Sequence, residues 1–148
     1  MTPSSERPIV LIVEDNTELL DLLLLALPRL GGFNVVGATD GVAGLEQFYE
    51  QRPQCVVIDV KMPELNGYQL VRLLRGDPET APTPLIILTA LAQDKDQFAG
   101  LAAGADLYLI KPVSPVDLAA AINQVIAISE ADRLQRWQAL LEENLPEL

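Results

Sequence analysis

Four places in the chain put a reactive side chain at the end of a short apolar run. Glu14-Asp15 follow Ile9 to Val13, Asp59 follows Cys55 to Ile58, Thr89 follows Leu85 to Leu88, and Lys111 follows Leu107 to Ile110. Taken singly, each has an ordinary explanation. An Asp after a strand caps a helix or makes a turn, a Thr suits a strand by propensity, and a Lys before Pro is a solvated charge. Brought to one rim, they make a different object. Three carboxylates packed together repel strongly unless a cation sits among them. Oxygen donors without imidazole or thiolate suit Mg²⁺, which keeps several waters and takes one or two carboxylates plus a phosphate. A carboxylate beside Mg²⁺, with an ammonium and a hydroxyl nearby, can accept a phosphoryl group. Asp59 would be the nucleophile, Mg²⁺ and Lys111 would neutralise the transferring oxygens, and Thr89 would donate to one of them.

Other chemistry is excluded early. The chain has 148 residues and no histidine, so it holds no Ser-His-Asp triad, no Cys-His dyad and no imidazole metal ligand. Its one cysteine, Cys55, makes no internal disulfide, which fits a reducing cytoplasmic setting. With 10 basic against 21 acidic residues the net charge is −11, a poor balance for gripping nucleic acid directly. The polar start, Met1 to Arg7, lacks the pattern of a signal peptide. The most apolar stretch, Leu19 to Leu30, is interrupted by Asp21, Pro28 and Arg29 and is too short to span a bilayer, so no membrane association is expected. At 49% hydrophobic and 21% charged, the chain can bury the core of a single domain.

The reactive positions meet only if the intervening segments arrange them. Asn16-Thr17 can cap a Leu-rich helix that closes at Gly31-Gly32. Phe33 to Ala38 reads as a strand and Asp40 to Arg52 as a helix ended by Pro53. A loop with Met62-Pro63 leads to a helix from Asn66 to Arg75, and a short helix is expected from Asp94 to Ala103, stopped by Gly104. Ser114-Pro115 then opens a long last helix, with Pro at its first position. Apolar strands that do not alternate with polar residues are covered on both faces, so the pattern predicts an α/β fold: a (βα)5 doubly wound, parallel five-stranded sheet of flavodoxin-like type. Chemistry in such a sheet belongs at the carboxyl ends of the strands.

The residues then carry a resemblance. Asp59-Val60-Lys61-Met62-Pro63-Glu64-Leu65-Asn66-Gly67 resembles the D-x-x-M-P-x-x-x-G segment of response-regulator receiver domains. Leu88-Thr89-Ala90 is similar to their switch-threonine strand end, Lys111-Pro112 to their Lys-Pro pair, and Glu14-Asp15 to their acidic pair. Forty-five residues separate Glu14 from Asp59, 30 more reach Thr89 and 22 more reach Lys111, as in that family. The likeness spans residues 8–128 and leaves 129–148 as a helical extension or linker. It implies a two-component phosphorelay protein of the single-domain chemotaxis type. Its partner would be a histidine kinase or histidine phosphotransfer protein. It also implies that Asp59 is phosphorylated, and that Asp15 binds Mg²⁺ directly, Glu14 largely through water and Lys61 by its backbone carbonyl. Thr89 and Tyr108 would form the switch pair, remodelling the face made by the short fourth helix, the fifth strand and the last helix. Lys111-Pro112 would be a cis peptide that aims the lysine inward. Tyr108 reads equally well as a half-buried strand aromatic.

Two positions depart from the pattern. Two residues after the acceptor and two after the switch threonine lie next to the phosphoryl group in this family and tune its hydrolysis; here they are Lys61 and Leu91. An apolar Leu91 cannot orient an attacking water, and Lys61 can shield the phosphate, so a long-lived phosphorylated state is expected.

The surplus leucines of the first helix either pack against the last helix or face a partner. Ala127, Ala131, Leu134, Gln138, Leu141, Leu145 and Leu148 alternate spacings of four and three, like a short coiled-coil seam. The extension carries five acids and two bases and reads as a linker, a dimer-forming stub or a flap anchored by Trp137. A homodimer would use this helix or the switch face.

Competing functions are weaker. A pure interaction module would tend to lose an acid or the Lys, and here the set is intact. A flavodoxin-type cofactor binder needs a phosphate loop where this chain has Glu14 to Glu18, and a haloacid-dehalogenase-like phosphatase needs an Asp where it has Lys61. The expectation is therefore a switch and not a metabolic enzyme, with no helix-turn-helix visible after Ile128.

Overall fold

The computed structural model describes residues 7–62, 64–90, 93, 95, 99 and 102–144; beyond Ser129, side chains are described only at 131, 132, 135, 138, 139 and 142. In chain order come β1 (Ile9–Val13), α1 (Thr17–Gly31), β2 (Asn34–Ala38), α2 (Gly41–Gln51), β3 (Cys55–Ile58), α3 (Gly67–Gly76), β4 (Leu85–Thr89), β5 (Leu107–Ile110) and the last helix, α4 (Pro115–Asn144). Of the short helix expected from Asp94 to Ala103, Lys95, Ala99, Ala102 and Ala103 are helical, and the rest lies outside the described residues.

The strands form one all-parallel sheet in the order β2-β1-β3-β4-β5. Alternate residues of each central strand point to opposite faces, yet all but Ile9 at the start of β1 are buried, because both faces are covered. Val10, Ile12, Cys55, Val57, Ile86 and Leu88 pack with Leu20, Leu23 and Leu27 of α1 and Leu118 and Ile122 of α4. Leu11, Val13, Val56, Ile58, Leu85 and Ile87 pack on the other side with Phe48 of α2 and Leu70, Val71 and Leu74 of α3. The edge strands differ: β2 and β5 are mostly half-buried, since each has a neighbour on one side only.

The helices start where the sequence places them, Asn16 capping α1 as read and Asp40, Asn66 and Ser114 standing as caps of the others. Asn16 Oδ1 accepts from Leu19 N at 3.2 Å, Asp40 Oδ1 from Ala43 N at 2.7 Å, and Ser114 Oγ from Asp117 N at 3.1 Å. At α3, Asn66 and Gln69 bond reciprocally in a capping box. Helix α1 runs through Pro28 and ends at Gly32, whose φ of 71° is left-handed. Arg7 closes this end by donating to the carbonyls of Pro28, Gly32 and Phe33.

The alternatives left open for the α1 leucines resolve by helical phase. Leu19 and Leu24 pack on the core shared with α4, whereas Leu22, Leu25 and Leu30 are exposed. Among the described residues, no helix is long and apolar enough to cross a membrane.

The rim away from the carboxyl ends of the strands is tied by Arg75, the penultimate residue of α3. Its guanidinium donates to the carbonyls of Gly104, Ala81 and Thr83 and to Asp106 Oδ2, which also accepts from Leu85 N at 2.8 Å. One side chain thus satisfies acceptors from two loops and the entry to β5. Arg75→Met should destabilise the fold by about 2 kcal/mol, because half-buried acceptors lose a charged donor. Urea unfolding would check this, and a loss below about 0.5 kcal/mol would mean that water replaces the guanidinium freely.

Candidate functional site

Sheet register brings the reactive residues together. Val13 pairs with both Ala38 and Ile58, so the residues that follow β1 and β3 leave the sheet side by side. Glu14 N donates to Ala38 O at 3.0 Å and Asp59 N to Val13 O at 2.9 Å, which fixes both carboxylates at the sheet rim. Thr89 pairs with Ile110, and Lys111 N donates to Thr89 O at 2.8 Å, so the lysine follows directly on that pair. This rim lies where the strand order reverses between β1 and β3, the crevice in which open α/β sheets hold ligands.

The side chains converge as the sequence implied. Carboxylate oxygens of Glu14, Asp15 and Asp59 lie within 4.8 Å of one another. Glu14 and Asp59 are buried, at 2% and 6% exposure, whereas Asp15 faces solvent. The Lys111 ammonium donates to Glu14 Oε1 and stands 3.5 Å from Asp59 Oδ2. The Lys111-Pro112 peptide is cis, as expected.

Burial raises the Glu14 carboxyl to about 7, helped by its hydrogen bond with Asp59 and opposed by Lys111. Burial alone would lower Lys111, but its bonds to Glu14 and the Asp59 charge outweigh that and leave it raised. The two shifts have one cause, a surplus of negative charge held out of water. The donor set fits a hard divalent cation: all ligand atoms are carboxylate oxygens, their spacing leaves room for one ion with waters, and the exposed Asp15 gives it an approach.

Lys61 is exposed, and its backbone N–H, 3.3 Å from Asp59 Oδ1, is its contact with the acceptor. Thr89 is buried on β4; Tyr108 on β5 pairs with Ile87, two residues before Thr89, and lies half-buried against the core on the α2 and α3 side. Both make polar or ring contacts. Leu91 lies outside the described residues, as do Leu145 and Leu148 of the proposed seam and the side chain of Trp137.

Gly67 is a site residue to which the sequence reading assigned no role. A Cβ at this position would stand 2.5 Å from the Asp59 carbonyl oxygen and 2.8 Å from Val60 Cα. Gly67 N also donates to Val60 O at 3.1 Å. The start of α3 therefore presses directly on the backbone of the acceptor. The signal was present as the closing Gly of the Met-Pro segment, eight residues after Asp59.

Comparison with known proteins agrees with this geometry. Residues 10–123 match the family model of the response regulator receiver domain. A probable transcriptional regulator, ycf27 of Guillardia theta, is 40% identical over 117 residues, covering 79% of this chain and 44% of that protein. The chain thus spans about half the length of the curated relatives it matches. Among solved structures, a putative response regulator from Chloroflexus aurantiacus superposes with a TM-score of 0.72 at 34% identity, covering 82% of this chain and 98% of the other. The receiver domain of a sensor histidine kinase from Pseudomonas aeruginosa PAO1 has a magnesium ion coordinated in its active-site cleft. It superposes with a TM-score of 0.72 at 30% identity, covering 82% of this chain and 98% of its own. With an acidic cluster, a lysine and a threonine on the rim of a five-stranded parallel sheet, this chain belongs to the response regulator receiver domain family of two-component signalling.

Proposed function

We propose that the chain is a phospho-acceptor switch in which Asp59 takes a phosphoryl group from a histidine kinase, a histidine phosphotransfer protein or a small acyl phosphate. The observation that carries this reading is the buried Asp59 carboxylate with Glu14, Asp15 and Lys111 around it. An ionised Asp59 oxygen attacks phosphorus, and the bond from phosphorus to the donor nitrogen or oxygen breaks with its electron pair leaving on the donor. Glu14, Asp15 and Asp59, with the Lys61 carbonyl, would hold Mg²⁺, whose charge offsets that of the transferring oxygens. Lys111 neutralises a further oxygen, and Thr89 donates its hydroxyl to another. Thr89 and Tyr108 then shift together, and the β5 side of the domain becomes the altered binding or dimerising face.

The chemistry is confined to the chain's own phosphorylation and dephosphorylation, and the setting is cytoplasmic. The curated relatives are named as transcriptional regulators and are about twice as long; we place any DNA contact outside this acidic chain. Incubation with Mg²⁺ and acetyl phosphate, followed by intact mass and oligomeric state together, tests the reading. One phosphoryl adduct is expected, absent in Asp59→Asn. No adduct, or an adduct that survives Asp59→Asn, overturns it.

The phosphorylated state is long-lived in this reading, because Leu91 orients no water and the exposed Lys61 shields the phosphate. Leu91→Glu and Lys61→Asn should each speed phosphate loss several-fold, on the order of 1 kcal/mol in barrier. Unchanged rates would remove both residues from the account.

A further inference from the structure

We propose that Gly41, the first residue of α2, is a positioning residue for the loop between Asp59 and α3. Its missing side chain leaves the space in which Leu65 is seated, so that α2 sets the course of that loop. The inference rests on the phospho-acceptor reading, in which the Lys61 carbonyl from the same loop is a ligand of Mg²⁺.

The approach is close, and its nearest atom is backbone. A Cβ at Gly41 would stand 2.5 Å from the Leu65 carbonyl oxygen, 2.9 Å from Leu65 Cβ and 3.0 Å from its Cγ. Non-bonded carbon atoms prefer roughly 3.5 Å or more, so one side would have to move. Conformation is not what calls for glycine here. Among the described residues the left-handed glycines are Gly32 and Gly104, and Gly41 is helical. Alanine would suit the helix better by propensity. What the glycine supplies is room for Leu65.

Neither partner retreats freely. The start of α2 is fixed by its cap, with Asp40 Oδ1 accepting from Ala43 N at 2.7 Å and Asp40 O from Gly44 N at 2.9 Å. Gly44 then lies against β1, where a Cβ would stand 2.8 Å from Val13 Cγ2. On the loop side, Leu65 is half-buried against the core cluster that includes Val13, Ile58 and Leu70. Glu64 before it holds a left-handed φ of 65°, which a non-glycine residue keeps only when its surroundings impose it. The loop also folds back on one carbonyl: Val60 O accepts from Met62 N at 3.0 Å and from Gly67 N at 3.1 Å. Lys61 sits inside that fold, its N–H 3.3 Å from Asp59 Oδ1.

The loop is thus gripped from two sides, by α3 through Gly67 and by α2 through Gly41. A methyl at position 41 drives Leu65 away from α2, and a short loop bonded to itself passes the displacement to Lys61. Mg²⁺ demands near-ideal octahedral geometry, so a displaced carbonyl ligand is a weakened one.

Calorimetric Mg²⁺ titration of the wild-type chain, Gly41→Ala, Leu65→Gly and the double variant tests this. Gly41→Ala should weaken Mg²⁺ binding about tenfold when Leu65 is present. In the Leu65→Gly background, where two of the three contacts are gone and the backbone can yield, the loss should be no more than about twofold. Arg75→Met, which loses stability at the opposite rim, should leave Mg²⁺ affinity unchanged. No weakening by Gly41→Ala, equal weakening in both backgrounds, or the same weakening in Arg75→Met overturns the inference. A second readout needs no metal. The backbone amide resonance of Lys61 should shift in Gly41→Ala, and an unmoved resonance also overturns the inference. Absence of Mg²⁺ binding by the wild-type chain would instead defeat the phospho-acceptor reading, and the Lys61 amide would still decide whether α2 positions the loop.

Discussion

Gly67→Ala is expected to lower stability by about 3 kcal/mol and to slow phosphoryl uptake by Asp59 by about 10²-fold. The added methyl would stand 2.5 Å from the Asp59 carbonyl oxygen and 3.0 Å from its carbon, both backbone atoms that cannot swing aside. Relief requires the start of α3 to lift from the segment after β3, which strains the bond from Gly67 N to Val60 O. The acceptor carboxylate moves with its backbone, so one substitution damages both fold and chemistry. Gly76 is the control. It is also a helical glycine, but a Cβ there meets nothing within 4 Å. Gly76→Ala should leave phosphoryl uptake unchanged and raise stability by up to about 1 kcal/mol. Urea unfolding and acetyl phosphate labelling of both variants decide the matter. A Gly67→Ala protein as stable as Gly76→Ala would show that the approach of α3 to Asp59 has slack.

The second large effect is on the pH dependence of stability without metal. The Glu14 carboxyl is raised from 4.5 to about 7 in the folded protein, chiefly by burial. Folding therefore binds a proton between those values, and stability must fall as pH rises through that window. The metal-free protein should be about 2 kcal/mol less stable at pH 8 than at pH 4.5 on account of this group alone. Mg²⁺ reverses the trend, because it favours the ionised carboxylate that burial disfavours. At pH 6 the ion must also expel the Glu14 proton, so its apparent affinity should be about tenfold weaker than at pH 8. Thermal melts in EDTA and in excess Mg²⁺ at the two pH values measure the difference. The Mg²⁺-induced rise in Tm should be larger at pH 8 by about 3 °C, and Glu14→Gln should abolish the gap. An equal rise at both pH values would assign the proton to another group.

Much of this is legible in the amino-acid sequence, for reasons that differ by element. The three central strands announced themselves because both of their faces are buried, which leaves unbroken runs such as Leu85 to Leu88. The site was readable because strand ends in a parallel sheet share one rim, so five side chains far apart in sequence had to meet. What the linear pattern could not give was how the Lys111 ammonium divides between Glu14 and Asp59, bonding the first more closely than the second. That depends on differences of about one carbon–carbon bond in reach between neighbouring strands. The leucines of α1 were ambiguous for a related cause. Their count exceeds one helical face, and only the positions of the sheet and α4 decide that Leu24 is covered while Leu25 is not. The bonds of Arg75 to Gly104 and Asp106 join residues 29 and 31 positions apart, with no local signal at all.

Helix α4 has a mechanical property that its packing makes explicit. Its first turns are wedged against the sheet by Leu118, Ile122, Val125 and Ile126, whereas every described side chain from Ala131 onward is exposed. The helix is thus a lever with its fulcrum on the domain and an arm over residues 129–144 of about 24 Å, at 1.5 Å per residue. A tilt of the anchored turns by about 5° would carry the end of such an arm through about 2 Å, as far as helices move at many switching interfaces. Angular changes too small to disturb the core become linear displacements at the end of the arm.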